Sequence, residues 1–252
     1  MAELVELVYP GDDERVEAPL SEKAYAQLRA DIIEGAIQPD EKLKIDALQR
    51  RYAFSNTPLR EALNRLAGER LVVVDERRGF RAAPVSLRDF RDLTEYRLVL
   101  ELGALSAAIT HGGDDWEADV VAAFRRLEAF NARRDTERPT SHDPDWIVRH
   151  KAFHMALLSG CMSQRLLNAC SGVFDEAERY RYLAGKTARP GRHTGDEHVR
   201  LMEATLDRDS HLATALLRNH IMKTSSHVLQ MLEGVAPEQG AVKPARPGRR
   251  QR

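Results

Sequence analysis

The chain has 252 residues, of which 42% are hydrophobic, 31% charged and 6% aromatic, the profile of a globular protein of one or two domains that leans helical rather than toward an aromatic-rich β-sandwich. Lys and Arg number 38 against 39 Asp and Glu, a formal charge of −1, which excludes a global basic field; any contact with nucleic acid has to come from a local patch. No stretch approaches the roughly 18 to 20 apolar residues of a membrane span.

The opening Met1-Ala2-Glu3-Leu4-Val5-Glu6 carries no basic region followed by an apolar one, so a cytoplasmic protein without a membrane partner is expected. Residues 1–18 are acidic and aperiodic, and residues 235–252 mix Pro and Gly with Lys243, Arg246, Arg249, Arg250 and Arg252; both ends are expected to be disordered. Cys161 and Cys170 lack the spacing of a thiolate zinc site or a disulfide framework and are read as buried, reduced thiols.

Between Ser21 and Gly35, Ala24, Tyr25, Leu28, Ile32 and Ile33 recur at three- and four-residue steps, which predicts an amphipathic helix with Ser21 as N-cap. Pro39-Asp40 marks a turn and Ile45 to Tyr52 a short second helix. A third is predicted from Pro58 to about Gly68, with Thr57 as N-cap and Pro58 at the first helical position. Leu71 to Val74 and Phe80 to Ala83, around the polar turn Asp75 to Gly79, read as a β-hairpin.

Three helices followed by a hairpin make a winged helix-turn-helix over residues 19–84, whose third helix would enter the major groove of double-stranded DNA. Lys44, Asn56, Thr57, Arg60, Arg78 and Gly79 are its candidate DNA-binding residues; the Arg60 guanidinium can take guanine O6 and N7 together. A small α/β domain with solvated arginines fits the same periodicity. Pro84-Val85-Ser86 is the expected joint, and residues 86–234 carry helical period throughout, as about six helices. The fold class is mainly α: a winged helix-turn-helix and an all-helical bundle.

In the second half, His150 and His154 stand at i and i+4, one turn apart on one helix face. His198 and His220 flank the polar break Asp207-Arg208-Asp209-Ser210 at equal distances; if that break turns a helical hairpin, both imidazoles reach similar height. The four histidines are a candidate site for a divalent transition metal, zinc or nickel by ligand chemistry. Ordinary core and surface histidines are the alternative, and the one assigned to His111, His142, His193, His211 and His227. Arg97 and Glu101, also i and i+4, read by spacing alone as a helix-surface ion pair.

Tyr25-x-x-Leu28-x-x-x-Ile32-x-x-Gly35-x-Ile37-x-Pro39-x-x-Lys42-Leu43, then Ser55-x-Thr57-Pro58-Leu59-Arg60-Glu61-Ala62-Leu63-x-x-Leu66 and Arg78-Gly79-Phe80, strongly resembles the DNA-binding domain of GntR-family regulators. The helical remainder resembles the FCD ligand-binding domain of the FadR-like subfamily. The segment from His111 to Val120, and His150-x-x-Phe153-His154-x-Ala156-x-x-x-Gly160-Cys161, look like the carbon-starvation-induced, glutarate-responsive members of that subfamily.

The resemblance implies a homodimeric repressor on an inverted-repeat operator, released by a small carboxylate effector such as the C5 dicarboxylate glutarate. It places Arg97 at the effector pocket and puts His154, His198 and His220 on the family's metal-ligand positions; Tyr180, Arg181 and Tyr182 are weaker effector candidates, because a Tyr-containing helix more often packs than binds. His150 stands where the family has Asp, and Asn56 where it usually has an operator-contacting arginine. The competing function classes are a metal-dependent hydrolase built on the histidines and a metal-storage module; the sequence has neither HExxH nor a nucleophile elbow.

Overall fold

The computed structural model describes residues 18–75, 79–133, 143–185 and 195–235. Residues 1–17 and 236–252 of the expected disordered ends, Arg77 and Arg78, and His142 and His193 lie outside the described residues, while Val235 closes the last helix. The chain runs α1 (Leu20–Ile33), β1 (Lys42–Leu43), α2 (Ile45–Tyr52), α3 (Asn56–Gly68), β2 (Val72–Asp75) and β3 (Gly79–Ala82). Six helices follow: α4 (Leu87–His111), α5 (Asp114–Asn131), α6 (Pro144–Ser159), α7 (Gln164–Gly185), α8 (Gly195–Leu206) and α9 (Ser210–Val235).

In the first half, Leu28 and Ile32 of α1 meet Leu59, Leu63 and Leu66 of α3 in an apolar core closed by Ile37 and Leu71. The helix starts differ from the expected caps. Pro19 caps α1, its carbonyl accepting from Lys23 N at 3.1 Å, so Ser21 lies inside the helix. Ser55, extended at φ −73 and ψ 174, caps α3, which moves Thr57 to the second helical position and Pro58 to the third. A proline is tolerated there because the first four N–H groups of a helix have no partner within it. The wing is an antiparallel pair of β2 and β3, with Val72 opposite Ala82 and Asp75 opposite Gly79. Gly79, at φ 84, supplies the left-handed conformation as the chain enters β3. The two-residue strand β1 adds to the other edge of β3, giving the order β1-β3-β2.

The second half packs α4 against α6, α7 and α9, with α5 on α6 and α8 on α9. Ser86 caps α4, its side chain accepting from Asp89 N, and Asp143 caps α6 in the same way from Trp146 N. Phe153, Leu157, Leu105 and Leu127 fill the main core. Trp116 lies over the C-terminal ends of α4 and α6 and donates from Nε1 to the Ala156 carbonyl at 2.9 Å.

The two halves meet along α1 and α7. Asp175 on α7 accepts from Arg29 of α1 and from Lys151 of α6, each at 2.5 Å, and Arg29 also reaches Glu69 at the end of α3. Beside it, Arg179 donates to the Ala83 carbonyl in the joint before α4. Tyr25 completes the cluster by donating to Glu69; burial and that carboxylate push the phenol up to about 12.

Glycine 112 tests the close approach under Trp116. A Cβ there would stand 2.2 Å from the Trp116 ring and 2.7 Å from the Ala108 carbonyl. Gly112→Ala is expected to destabilise by about 1–3 kcal/mol through overpacking. Gly103→Ala, in α4 where a Cβ meets nothing within 4 Å, is expected to stabilise by about 0.5–1 kcal/mol. Urea denaturation of both variants checks the pair of signs.

Candidate nucleic-acid interface and buried histidine cavity

Lys44, Asn56, Thr57, Arg60 and Gly79 are all exposed on one side of the first half. They converge because α2 and α3 share the apolar core, which turns the polar edge of α3 outward, while β1 carries the chain from Lys42 into Lys44 at the start of α2. A shallow depression is lined by Lys44, Arg60, Gly79 and Phe80, together with Lys42, which the sequence reading had not singled out. Arg60 Nε donates to Asn56 Oδ1 at 2.8 Å, fixing the guanidinium against the first turn of α3. Lys42, Lys44 and Arg60 thus form a compact cationic patch on a protein without net positive charge.

The second constellation is internal. His150 and His154 of α6, His198 of α8 and His220 of α9 are all buried, and each offers a ring nitrogen within 4.8 Å of the others. The hairpin turn expected between His198 and His220 is present, with α9 starting at Ser210. His150 Nε2 lies 3.1 Å from His154 Nε2. Trp146 stacks on His150 at 4.2 Å between ring centroids, and His220 Nδ1 stands 3.0 Å from Glu197 Oε2. An N–H on that Nδ1 leaves Nε2 as the ligand-competent nitrogen, the usual way a carboxylate orients a metal-binding imidazole.

Burial, then the neighbouring imidazoles with Arg97 and Arg181, hold His150 and His154 well below the usual histidine range, so both rings are neutral and keep lone pairs. Among the described residues no carboxylate joins this set of four. Exposed His111, His211 and His227 stay outside it.

His150, His154 and His220 open onto a cavity also lined by Arg97, Phe174, Glu178 and Arg181, with a free volume of about 20 Å³. Arg97 donates from Nε to Glu101 Oε1 at 2.7 Å with side-chain exposures of 11% and 2%, so the pair expected on a helix surface is inside the bundle. The reason is that α4 is covered on three sides. Arg181 pairs with Glu178, lies over the Trp146 ring and comes within 3.5 Å of His150 Nδ1. Burial pushes the Glu178 carboxyl up and the Arg181 guanidinium down.

Tyr180 is not in this cavity. It packs on Phe90, itself at the cavity's edge, and donates to Asp89 Oδ2 at 2.5 Å at the start of α4. One residue on, Arg181 is rotated by about 100° around the helix and faces the histidines. Glu178 and Trp146 were missed by the sequence reading; the available signal was a charged pair at i and i+3 inside an otherwise core-forming helix.

Residues 20–81 match the family of bacterial regulatory proteins described as gntR, and residues 92–223 match the FCD domain. The chain is 38% identical over 216 residues to the HTH-type transcriptional repressor GlaR of Escherichia coli K12, covering 83% of this chain and 96% of that protein. It is also 38% identical over 216 residues to the HTH-type transcriptional regulator BphR of Paraburkholderia xenovorans LB400, with coverages of 84% and 86%. Among solved structures, Escherichia coli McbR/YncC superposes with a TM-score of 0.69 over 86% of this chain and 100% of that one, at 19% identity.

The depressed histidines make a signed prediction for metal-free protein. Between their folded values and the ordinary 6.5, the unfolded chain binds more protons, so stability is full above about pH 6.5 and falls as pH drops below it. The slope is up to about 1.4 kcal/mol per pH unit for each ring. Urea midpoints of chelator-treated protein at pH 7.5 and 5.5 read it, and a His154→Gln variant with an undiminished slope contradicts it.

Proposed function

The chain belongs to the GntR family of bacterial regulatory proteins and carries an FCD domain behind its winged helix-turn-helix, and on that premise we propose that it is a repressor released from its operator by a small carboxylate. It is a DNA-binding transcriptional regulator, not an enzyme, which sets aside the hydrolase expected as the alternative.

The observation that carries the proposal is the pairing of two features in one chain. An exposed cationic face holds Lys44 and Arg60, and a separate buried cavity sets Arg97 beside a cluster of four buried imidazoles. On DNA, Arg60 reads a guanine from the major groove, Asn56 and Thr57 meet phosphate or a base edge, and Lys44 and the Gly79 wing hold the backbone. Arg78 of the wing is assigned to the same task. A homodimer places two such faces on an inverted repeat, in the cytoplasm where the operator is.

The imidazoles fit a divalent transition ion, zinc or nickel. His150 and His154 are neutral, the nitrogens of the four rings converge, and Glu197 orients His220. His150, His154, His198 and His220 would hold it, and the ion supplies a cationic pole for an anionic ligand. Arg97 binds the effector carboxylate through its guanidinium fork. We take the effector to be a C5 dicarboxylate such as glutarate, on the likeness to glutarate-responsive regulators; Tyr180, outside the cavity lining, supports the start of α4 instead. Release requires the acid to bind the DNA-free form more tightly than the DNA-bound one, by about 1.4 kcal/mol for each tenfold loss of operator affinity.

Arg60→Ala is expected to weaken operator binding by about 1–3 kcal/mol and relax base preference at one position per half-site; unchanged affinity and preference in a mobility-shift titration refute the placement of α3. His154→Ala and His220→Ala are expected to lose bound metal, measured by elemental analysis, and to bind glutarate more weakly by calorimetry. Full metal content with a normal glutarate response in both variants refutes the metal site.

A further inference from the structure

The cavity beneath the histidines is already filled by its own ions. Its free volume of about 20 Å³ has room for a single water; Arg97 and Arg181 line it, each already engaged by a glutamate, Glu101 and Glu178, and Glu178 is itself part of the lining. The two pairs differ in how they can yield.

Arg97 engages Glu101 through Nε, so its terminal nitrogens can take a carboxylate while Glu101 stays. Glu101 has nowhere else to go: it is 1% exposed, and its Oε2 is enclosed without a hydrogen-bond partner. Glu178 stands in a wall that the cavity shares with the open groove between α1, α6 and α7. Lys151 lines that same groove with its ammonium on Asp175. Arg181 is packed over Trp146, and its buried Nε has no acceptor.

We propose that Arg181 is the second carboxylate-binding residue of this cavity and that Glu178 is its resident competitor. A dicarboxylate spans Arg97 and Arg181, and the displaced Glu178 turns to Lys151 across the shared wall. The inference rests on the effector reading above. A monocarboxylate on Arg97 leaves the Arg181–Glu178 pair as it is. A dicarboxylate exchanges one carboxylate for another on Arg181 and turns the first toward an ammonium that it then shares with Asp175, so Arg181 is never left unpaired. Because Lys151 also holds Asp175, the acceptor of Arg29, the exchange reaches the ion pairs that join the two halves.

The test is calorimetric titration of the full-length protein with glutarate and with pentanoate, which has the same five carbons and one carboxylate. Wild type is expected to prefer glutarate. Arg181→Gln is expected to lower glutarate affinity by about tenfold to a hundredfold and to erase the preference. Glu178→Gln, nearly the same shape without the competing charge, is expected to tighten glutarate several-fold. Thermal melts establish that each variant is folded; should Arg181→Gln fail to fold, Glu178→Gln decides. A glutarate preference that survives Arg181→Gln, or weaker glutarate binding in Glu178→Gln, overturns the assignment while leaving the effector reading intact. Wild type that binds neither acid overturns the effector reading and this inference with it.

Discussion

Desolvation of charge governs the second half of this protein. Taking a guanidinium or a carboxylate out of water costs several kcal/mol per ion even after relaxation, and here Arg97, Glu101, Glu178 and Arg181 lie together inside one helical bundle with four imidazoles. They are tolerable because each arginine has its own glutamate and because His150 and His154 stay neutral. The cavity walls follow from that constraint: Trp146 and Phe174 present aromatic faces to cationic groups, and Glu197 backs His220 from outside. A bundle built only for stability would have filled this space with leucine.

The first half solves a different problem. Its core is apolar throughout, and its charge is kept at the surface, where water and DNA phosphate compete for it. The two halves are therefore stabilised by different means and meet through charge: Asp175 accepts from both Arg29 and Lys151, with Glu69 and Tyr25 extending the cluster. Such pairs, part-buried and shared, resist screening better than isolated surface bridges.

Much of this was legible in the sequence. Apolar spacing placed the helices because each buries one face, and the i, i+4 histidines fell on one side of α6 as the helical repeat requires. What was not legible depended on tertiary context. The strand β1 is two residues long, too short for any periodicity, and exists because β3 offers it an edge. Thr57 looked like a cap because Pro58 suits a first helical position, yet Ser55 is where the backbone leaves the extended region. The Arg97–Glu101 spacing is the same on a buried helix as on an exposed one, and only the packing around α4 tells them apart. Tyr180 and Arg181 were separable only by the rotational phase of α7.

That phase has a consequence for how the protein can change. Within about two turns, α7 gives Phe174, Glu178 and Arg181 to the cavity, and Asp175 and Arg179 to the DNA-binding half. A substitution that reshapes the cavity from α7 acts on a helix that already holds the other domain in place. The opposite wall, Ile221, Thr224 and Val228 of α9, packs within the bundle on α4, α7 and α8. A substitution at those three positions of α9 therefore reshapes the cavity without touching the ion pairs to the first half, a freedom that α7 lacks.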